Sequence, residues 1–180
     1  MPEIVPLGPG HDRVAFDCGS AELNAFFKAT ARQHAARGIS RTWVLADPNA
    51  PGIVIGFFTL ALCEIHARHL PTKYTSKYTS KYPKHLLAAV RLARLAVSKK
   101  HQRQGYGEML LMEAIYRTVL ISEQGGGIGL FVDAKDGSAR SFYEHYGFLA
   151  LPGNPLRLFL PIQTLRAVAS DPNNEFPSNC

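Results

Sequence analysis

Gln102-Arg103-Gln104-Gly105-Tyr106-Gly107 is the stretch of this chain whose residue types and spacing best suit chemistry. Two glycines in three residues, at the start of a helical pattern, gather backbone N–H groups and let them approach a ligand. A diphosphate needs that arrangement. Lys99 and Lys100 stand just before it, and Arg103 with Lys99 or Lys100 are candidates to add side-chain charge. An anionic, nucleotide-type cofactor is the expectation. A triphosphate loop is excluded, because Gly-Lys-Ser/Thr would have to enter the helix where Gly107-Glu108-Met109 stands. A dinucleotide fingerprint would need a third glycine at Leu110 and an acidic residue about 20 positions on, closing a βαβ unit. Neither pattern fits.

A second constellation lies downstream, Asp136-Gly-Ser-Ala139-Arg-Ser-Phe142-Tyr143-Glu-His-Tyr146-Gly147-Phe148. A phenol there can serve as a general acid, or it can be one more core aromatic beside Phe142, Tyr146 and Phe148. A glycine turn opening a helix, then a strand, then Ala139-x-x-Phe142-Tyr143-x-x-x-Gly147-Phe148 resembles the GNAT superfamily of acetyl-CoA-dependent N-acetyltransferases. Three further stretches resemble one branch of it. They are Phe16-Asp-Cys-Gly-Ser-x-x-Leu23-Asn24-x-Phe-Phe, Ser40-Arg-Thr-Trp-Val44, and Arg91-Leu-x-Arg94-Leu95-Ala96-Val97. That branch is the toxins of bacterial toxin–antitoxin pairs that acetylate the α-amine of aminoacyl-tRNA and halt translation.

The resemblance implies a role for each residue. Leu95, Ala96 and Val97 would pair with the pantetheine arm of acetyl-CoA, and Gln102, Arg103, Gln104, Gly105, Tyr106 and Gly107 would cradle its pyrophosphate. Asp136 stands where many members place an asparagine that touches the cofactor; it can accept but not donate, and it can equally cap a helix. Ala139 and Phe142 belong to the same cofactor-side helix. Tyr143 would be the general acid for the leaving coenzyme A. Arg91, Arg94, Lys84, Lys28 and Arg32 are the candidates to meet tRNA. The resemblance also implies a homodimer and a ribbon-helix-helix antitoxin, with no metal.

No Asp or Glu stands on the strand where many such enzymes carry a general base; Arg91 and Arg94 stand there, with Glu64 the nearest acidic candidate. A lysine amine near ~10.4 needs strong help to lose its proton, whereas a free α-amine near ~7.8 needs little. The base-poor strand therefore favours an α-amine acceptor. Arg91 and Arg94 differ by three positions, so a regular strand sends them to opposite sides.

These residues need elements to hold them. The pattern predicts an edge strand at Ile4–Leu7, a helix capped by Ser20 that turns Leu23, Phe26, Phe27, Thr30, Ala31 and His34 inward and ends at Gly38, and a hairpin of strands 42–46 and 53–65. A basic loop with some helix spans 66–87, and a strand follows at 89–97. A helix from Gly105 to about Glu123 would bury Met109, Leu110, Met112, Ile115, Tyr116 and Val119. Next come a strand at 128–132, a helix at 138–146 stopped by Gly147, and a strand pair at 148–151 and 156–162. The fold class expected is α/β (α+β): a mixed, mostly antiparallel GNAT-like sheet flanked by helices and splayed at the acetyl-CoA site. Residues 1–166 read as one domain, and 167–180 as a polar, disordered tail.

The chain has 180 residues and a net charge of +6, enough for a full core and basic enough to suit a polyanion. From Ile65 through Gly107 there is no acidic residue while ten Lys or Arg occur. Tyrosines interleave them in the tandem Lys73-Tyr-Thr-Ser-Lys77-Tyr-Thr-Ser-Lys81-Tyr, where they could stack on bases, although repeat slippage accounts for the pattern equally well. Neither a membrane span nor a signal peptide is legible, and three cysteines without metal spacing suit a reducing cytoplasm. Two other readings stand beside the toxin: a GNAT acting on a small amine or a protein N-terminus, and a silent acyl-CoA-binding partner of a DNA-binding protein.

Overall fold

Runs dominated by apolar residues become strands, and runs with a 3.6-residue period become helices. The computed structural model describes residues 1–79 and 86–173. Among the described residues the strands are β1 (Glu3–Pro6), β2 (Arg41–Asp47), β3 (Ala50–His66), β4 (Leu86–Val97), β5 (Gly129–Asp133), β6 (Leu149–Leu151) and β7 (Asn154–Pro161). They form one sheet in the order β1-β2-β3-β4-β5-β7-β6. β1–β2, β2–β3, β5–β7 and β6–β7 pair antiparallel, and β4–β5 pair parallel. The helices are α1 (Ala21–Ala25), α2 (Ala31–Ala36), α3 (Thr72–Thr79), α4 (Tyr106–Gly125), α5 (Gly137–His145) and α6 (Ile162–Ala169). The mixed, mostly antiparallel sheet with flanking helices is as expected.

The chain gathers into two compact units. One holds Met1–Ala61 and Ala93–Ala114; the other holds the described residues of Leu62–Leu92 and Ile115–Pro172. In the first, Phe16, Phe26, Phe27, Val44 and Phe57 make an aromatic core, with Phe27 stacked on Phe57 at 4.4 Å. In the second, Phe131 of β5 and its register partner Phe159 of β7 stack at 4.6 Å, with Ile65, Leu70 and Leu151 around them.

The first helical segment shows why periodicity alone misplaces a residue. Ser20 caps α1 by accepting from the Leu23 N–H, as expected. A π-helical turn, Phe26–Thr30, then separates α1 from α2, and the Ala31 N–H donates to the Phe26 carbonyl five residues back. The wider turn keeps Phe26, Phe27 and Ala31 all buried and leaves Thr30 only half-buried. Such turns insert one residue into the helical repeat. Gly38, at φ 69, ends α2.

α4 also departs from the expected face. Leu110, Leu111, Ala114, Ile115 and Val119 are buried together with Glu113, Thr118 and Ser122, whereas Tyr116 is exposed and Met109 and Met112 are half-buried. The buried stripe centres one residue away from the one drawn by hydrophobicity, because three polar residues share it. At the C-terminal end, Ile162 opens α6 rather than ending a strand, and this helix runs through Ala169, beyond the expected boundary at 166.

Two features position the end of β4. Gly56 of β3 comes so close that an added Cβ would lie 2.8 Å from the Ala96 carbonyl and 2.8 Å from Leu110 Cδ1. Asp17 then ties the following segment down. Its backbone carbonyl accepts from the Lys99 N–H at 2.9 Å, and its carboxylate accepts from Asn24 Nδ2 and the Gly19 N–H and pairs with Lys99 Nζ at 3.1 Å. The hydrogen bond from Asn24, then that from Gly19, then Lys99 hold the Asp17 carboxyl down to about 2.

Gly56→Ala should destabilise the protein by about 1–3 kcal/mol, because backbone as well as side chain must move. Urea unfolding checks this, and an unchanged midpoint would contradict the close approach. A carboxyl held below its unfolded value of about 3.9 stabilises the fold above that value, and the contribution is lost as pH falls through about 2. Carboxyl-detected NMR titration should therefore place Asp17 near 2 in the native protein, and Asn24→Ala should move it upward. A native midpoint near 3.9 would exclude the network.

Candidate active site

β4 delivers the candidate residues in order. Its register with β5 runs Val90–Leu130, Arg91–Phe131 and Leu92–Val132, and the strand continues to Val97 beyond the last of these pairs. Leu95, Ala96 and Val97 lie in that extension; Ala96 is buried, and Leu95 and Val97 are half-buried. Past Ser98 a short 3-10 turn, Lys99–His101, leads into the glycine turn. Ser98 Oγ and His101 Nδ1 are hydrogen-bonded at 2.7 Å.

The turn adopts a conformation suited to an anion. Arg103 (φ 61) and Gly105 (φ 84) both occupy the left-handed region, with Gln104 between them, and α4 begins at Tyr106. Alternating left-handed residues direct successive N–H groups to one side. The first N–H groups of a helix have no partner within it, and a helix the length of α4 adds a positive end there. Among the described residues, and apart from its chain neighbours, no atom lies within 4 Å of where a Gly105 Cβ would be, so that side of the turn is open. The residues present fit a pyrophosphate.

Gln102 does more than the sequence suggests. Its Nε2 donates to the Cys18 carbonyl and to the Val97 carbonyl, each at 3.0 Å, so its side chain clamps the turn to the end of β4 and to the Asp17–Cys18 loop. Gln104 Nε2 donates back to the Lys100 carbonyl at 3.3 Å. Arg103 is exposed, whereas Lys99 is the cation that Asp17 holds. Asp17 and Asn24 were missed as contributors to this site. The only sequence signal was their place in the Phe16-Asp-Cys-Gly-Ser-x-x-Leu-Asn stretch.

Arg94 is not a freely solvated cation. Its guanidinium lies over the Phe26 ring at 4.8 Å, within the π turn, and its Nη1 donates to the Ala93 carbonyl at 2.7 Å. Lys28 and Arg32 are exposed on the same helical segment, and the Lys28 carbonyl accepts from Arg13. Arg91 belongs to the other unit, where with Arg157 it opposes the burial that raises the Cys63 thiol. Asp133 pairs with its register neighbour Arg157 at 3.4 Å. Glu64 is exposed. Lys84 lies outside the described residues.

Tyr143 sits on α5, which Asp136 caps by accepting from the Ala139 N–H at 2.9 Å. Asp136 is thus a cap, and Ala139 is the residue whose N–H it holds. Gly147 (φ 90) ends the helix and lets the chain return, so that the Phe148 N–H donates to the Tyr143 carbonyl. Phe142 and Phe148 meet the Tyr143 ring edge-on at 5.2 and 5.5 Å. Tyr143 is 7% exposed, and burial pushes its phenol well above the ordinary tyrosine range. A phenol so placed keeps its proton at any physiological pH.

Comparison with known proteins agrees with this geometry. Residues 38–149 match the acetyltransferase (GNAT) domain family. The chain is 31% identical over 174 residues to a probable toxin TacT of Sinorhizobium fredii, covering 92% of this chain and 93% of that one. It is 31% identical over 165 residues to a tRNA-acetylating toxin of Mycobacterium tuberculosis, covering 92% and 95%. Among solved structures, a tyrosine-to-phenylalanine mutant of KacT superposes with a TM-score of 0.85 at 29% identity, covering 93% and 98% of the two chains. AtaT complexed with acetyl-methionyl-tRNAfMet superposes with 0.84 at 29%, covering 93% and 99%. A glycine turn held at the end of β4, a buried phenol on the helix after β5, and a family match over most of the chain lead to one conclusion: this chain belongs to the GNAT acetyltransferase family.

Proposed function

We propose that this protein transfers the acetyl group of acetyl-CoA to the α-amine of an aminoacyl-tRNA and thereby blocks translation. One observation carries the choice of acceptor: β4 and the turn after it hold arginines and lysines but no carboxylate to deprotonate an amine. An α-amine near ~7.8, lowered further by the neighbouring ester, needs no strong base, whereas a lysine near ~10.4 does. The likeness to a tRNA-acetylating toxin and to AtaT carrying acetyl-methionyl-tRNAfMet supports the same acceptor. AtaTR bound with AcCoA supports the donor.

Acetyl-CoA supplies an acetyl group activated as a thioester. On this reading the peptide groups of Leu95, Ala96 and Val97 pair with its pantetheine. The N–H groups of Gln102–Gly107 bind the pyrophosphate, with Arg103 adding charge. Asp136 and Ala139 act through the helix start they form, and Phe142 through its packing on Tyr143. As the C–N bond of the amide forms, the amine loses one proton to water; the C–S bond of the thioester breaks, and Tyr143 gives its hydroxyl proton to the departing sulfur and regains one from solvent. Arg91, Arg94, Lys28, Arg32 and Lys84 are the cations offered to the tRNA, with Arg94 fixed by Phe26 rather than mobile. We also infer a homodimer with one catalytic domain that runs through α6 to Ala169, acting in the cytoplasm and neutralised by a ribbon-helix-helix antitoxin. An AtaT mutant toxin bound to the C-terminus of the antitoxin AtaR, and the KacTA–DNA complex, support that partner class.

Tyr143→Phe should lower kcat for acetyl transfer roughly 10²–10⁴-fold, the usual share of a general acid, with acetyl-CoA affinity unchanged. Wild-type turnover in the variant would remove Tyr143 from the chemistry. Because burial raises this phenol, its acid form is lost only as pH rises through a value above the ordinary ~10. The pH–rate profile should therefore show no descending limb from Tyr143 below about pH 10. A descending limb near pH 8 that disappears in Tyr143→Phe would contradict this assignment.

A further inference from the structure

The Lys-Tyr-Thr-Ser repeat offers tyrosines and lysines together, and the structure separates the two. Within α3, Tyr74 and Tyr78 are four residues apart, as are Lys73 and Lys77, so each pair forms a line along one side of the helix. The tyrosine line faces inward. Tyr74 meets Phe159 edge-on at 5.9 Å, and both tyrosines pack against the Phe131–Phe159 core. Both are half-buried and anchor the helix, so the expectation that they stack on bases gives way to a packing role; Tyr82 lies outside the described residues.

The lysine line faces outward. Lys73 and Lys77 are exposed, each with its ammonium 5.6 or 5.7 Å from the ring centroid of the following tyrosine. Arg68, just upstream, is exposed as well. These cations lie within a stretch that contains no acidic residue. Over residues 72–78 the other exposed residues are Thr72 and Ser76, so this described surface presents ammonium and hydroxyl groups without an apolar anchor. Protein interfaces depend on buried apolar and aromatic anchors, whereas phosphate oxygens are met by Lys, Arg, Ser and Thr. The surface therefore suits a phosphate backbone better than a peptide.

We propose that the Lys73–Lys77 line of α3, together with Arg68, is a docking surface for RNA phosphates that positions the acceptor tRNA. It adds a contact to the acceptor assigned above and rests on that assignment. Each of the two described repeats packs one tyrosine against the core and leaves one lysine on the surface, so a repeat of this composition both holds the helix and charges it.

The test compares wild type with the Lys73→Gln/Lys77→Gln double variant, by fluorescence anisotropy on uncharged tRNA across salt concentrations and by acetyl transfer to charged tRNA. Loss of two phosphate contacts should reduce the slope of log affinity against log salt by about 1.4–1.8. The KM for charged tRNA should rise severalfold, with kcat, the KM for acetyl-CoA and the thermal midpoint unchanged. An unchanged salt slope and tRNA KM would overturn the proposal. So would a variant that loses affinity for an antitoxin and keeps its affinity for tRNA. If wild type acetylates no charged tRNA, the acceptor assignment fails, and the anisotropy comparison still decides whether α3 binds RNA.

Discussion

Everything proposed for the donor side depends on how the Gln102–Gly107 turn is held. A cradle of N–H groups binds an anion well only if the groups are already aligned, because ordering them at the moment of binding costs free energy. Here the alignment comes from bonds that tie the turn and the segment before it to their surroundings. One carboxamide, Gln102, bonds carbonyls at Val97 and Cys18, and one carboxylate, Asp17, collects Asn24, Gly19 and Lys99. Gly56 lets the backbone at Ala96 come close enough for this register. Lys99 is paired with Asp17, which leaves Lys100, Arg103 and the backbone as the groups without that pairing beside the turn.

Burial gives Tyr143 two roles at once. Its ring fills space among Phe142 and Phe148, and the same removal from water raises the phenol and keeps the proton on oxygen. The two readings weighed from sequence, a core aromatic and a general acid, are therefore compatible. Arg94 shows the same economy, since stacking on Phe26 fixes a charge that a solvated arginine would have to order on binding.

What the sequence made legible was local. The glycine turn, the Ser20 and Asp136 caps, the Gly38 and Gly147 stops and the Tyr143 helix depend on residues a few positions apart, and those patterns are written in order. What it hid was paired across distance. Asp17 with Lys99, Gln102 with Cys18, and Arg94 with Phe26 join segments far apart in the chain, and no local pattern marks them. The π turn escaped notice because it keeps Phe26 and Ala31 on one face at a spacing no helical template searches for. Tyr116 was assigned to the core because hydrophobicity outvoted the three polar residues that α4 buries. The tyrosines of the repeat were ambiguous until their contact with the Phe131–Phe159 core was visible.

The central claim concerns the acceptor, and it has a direct measurement. The purified protein is incubated with labelled acetyl-CoA, total charged tRNA and a lysine-containing protein mixture, and the RNA is then recovered and its ester bonds cleaved with mild alkali. The account predicts that the label leaves the RNA as one or a few N-acetylamino acids. Label confined to protein lysines or small amines, with none in the charged tRNA, would contradict it.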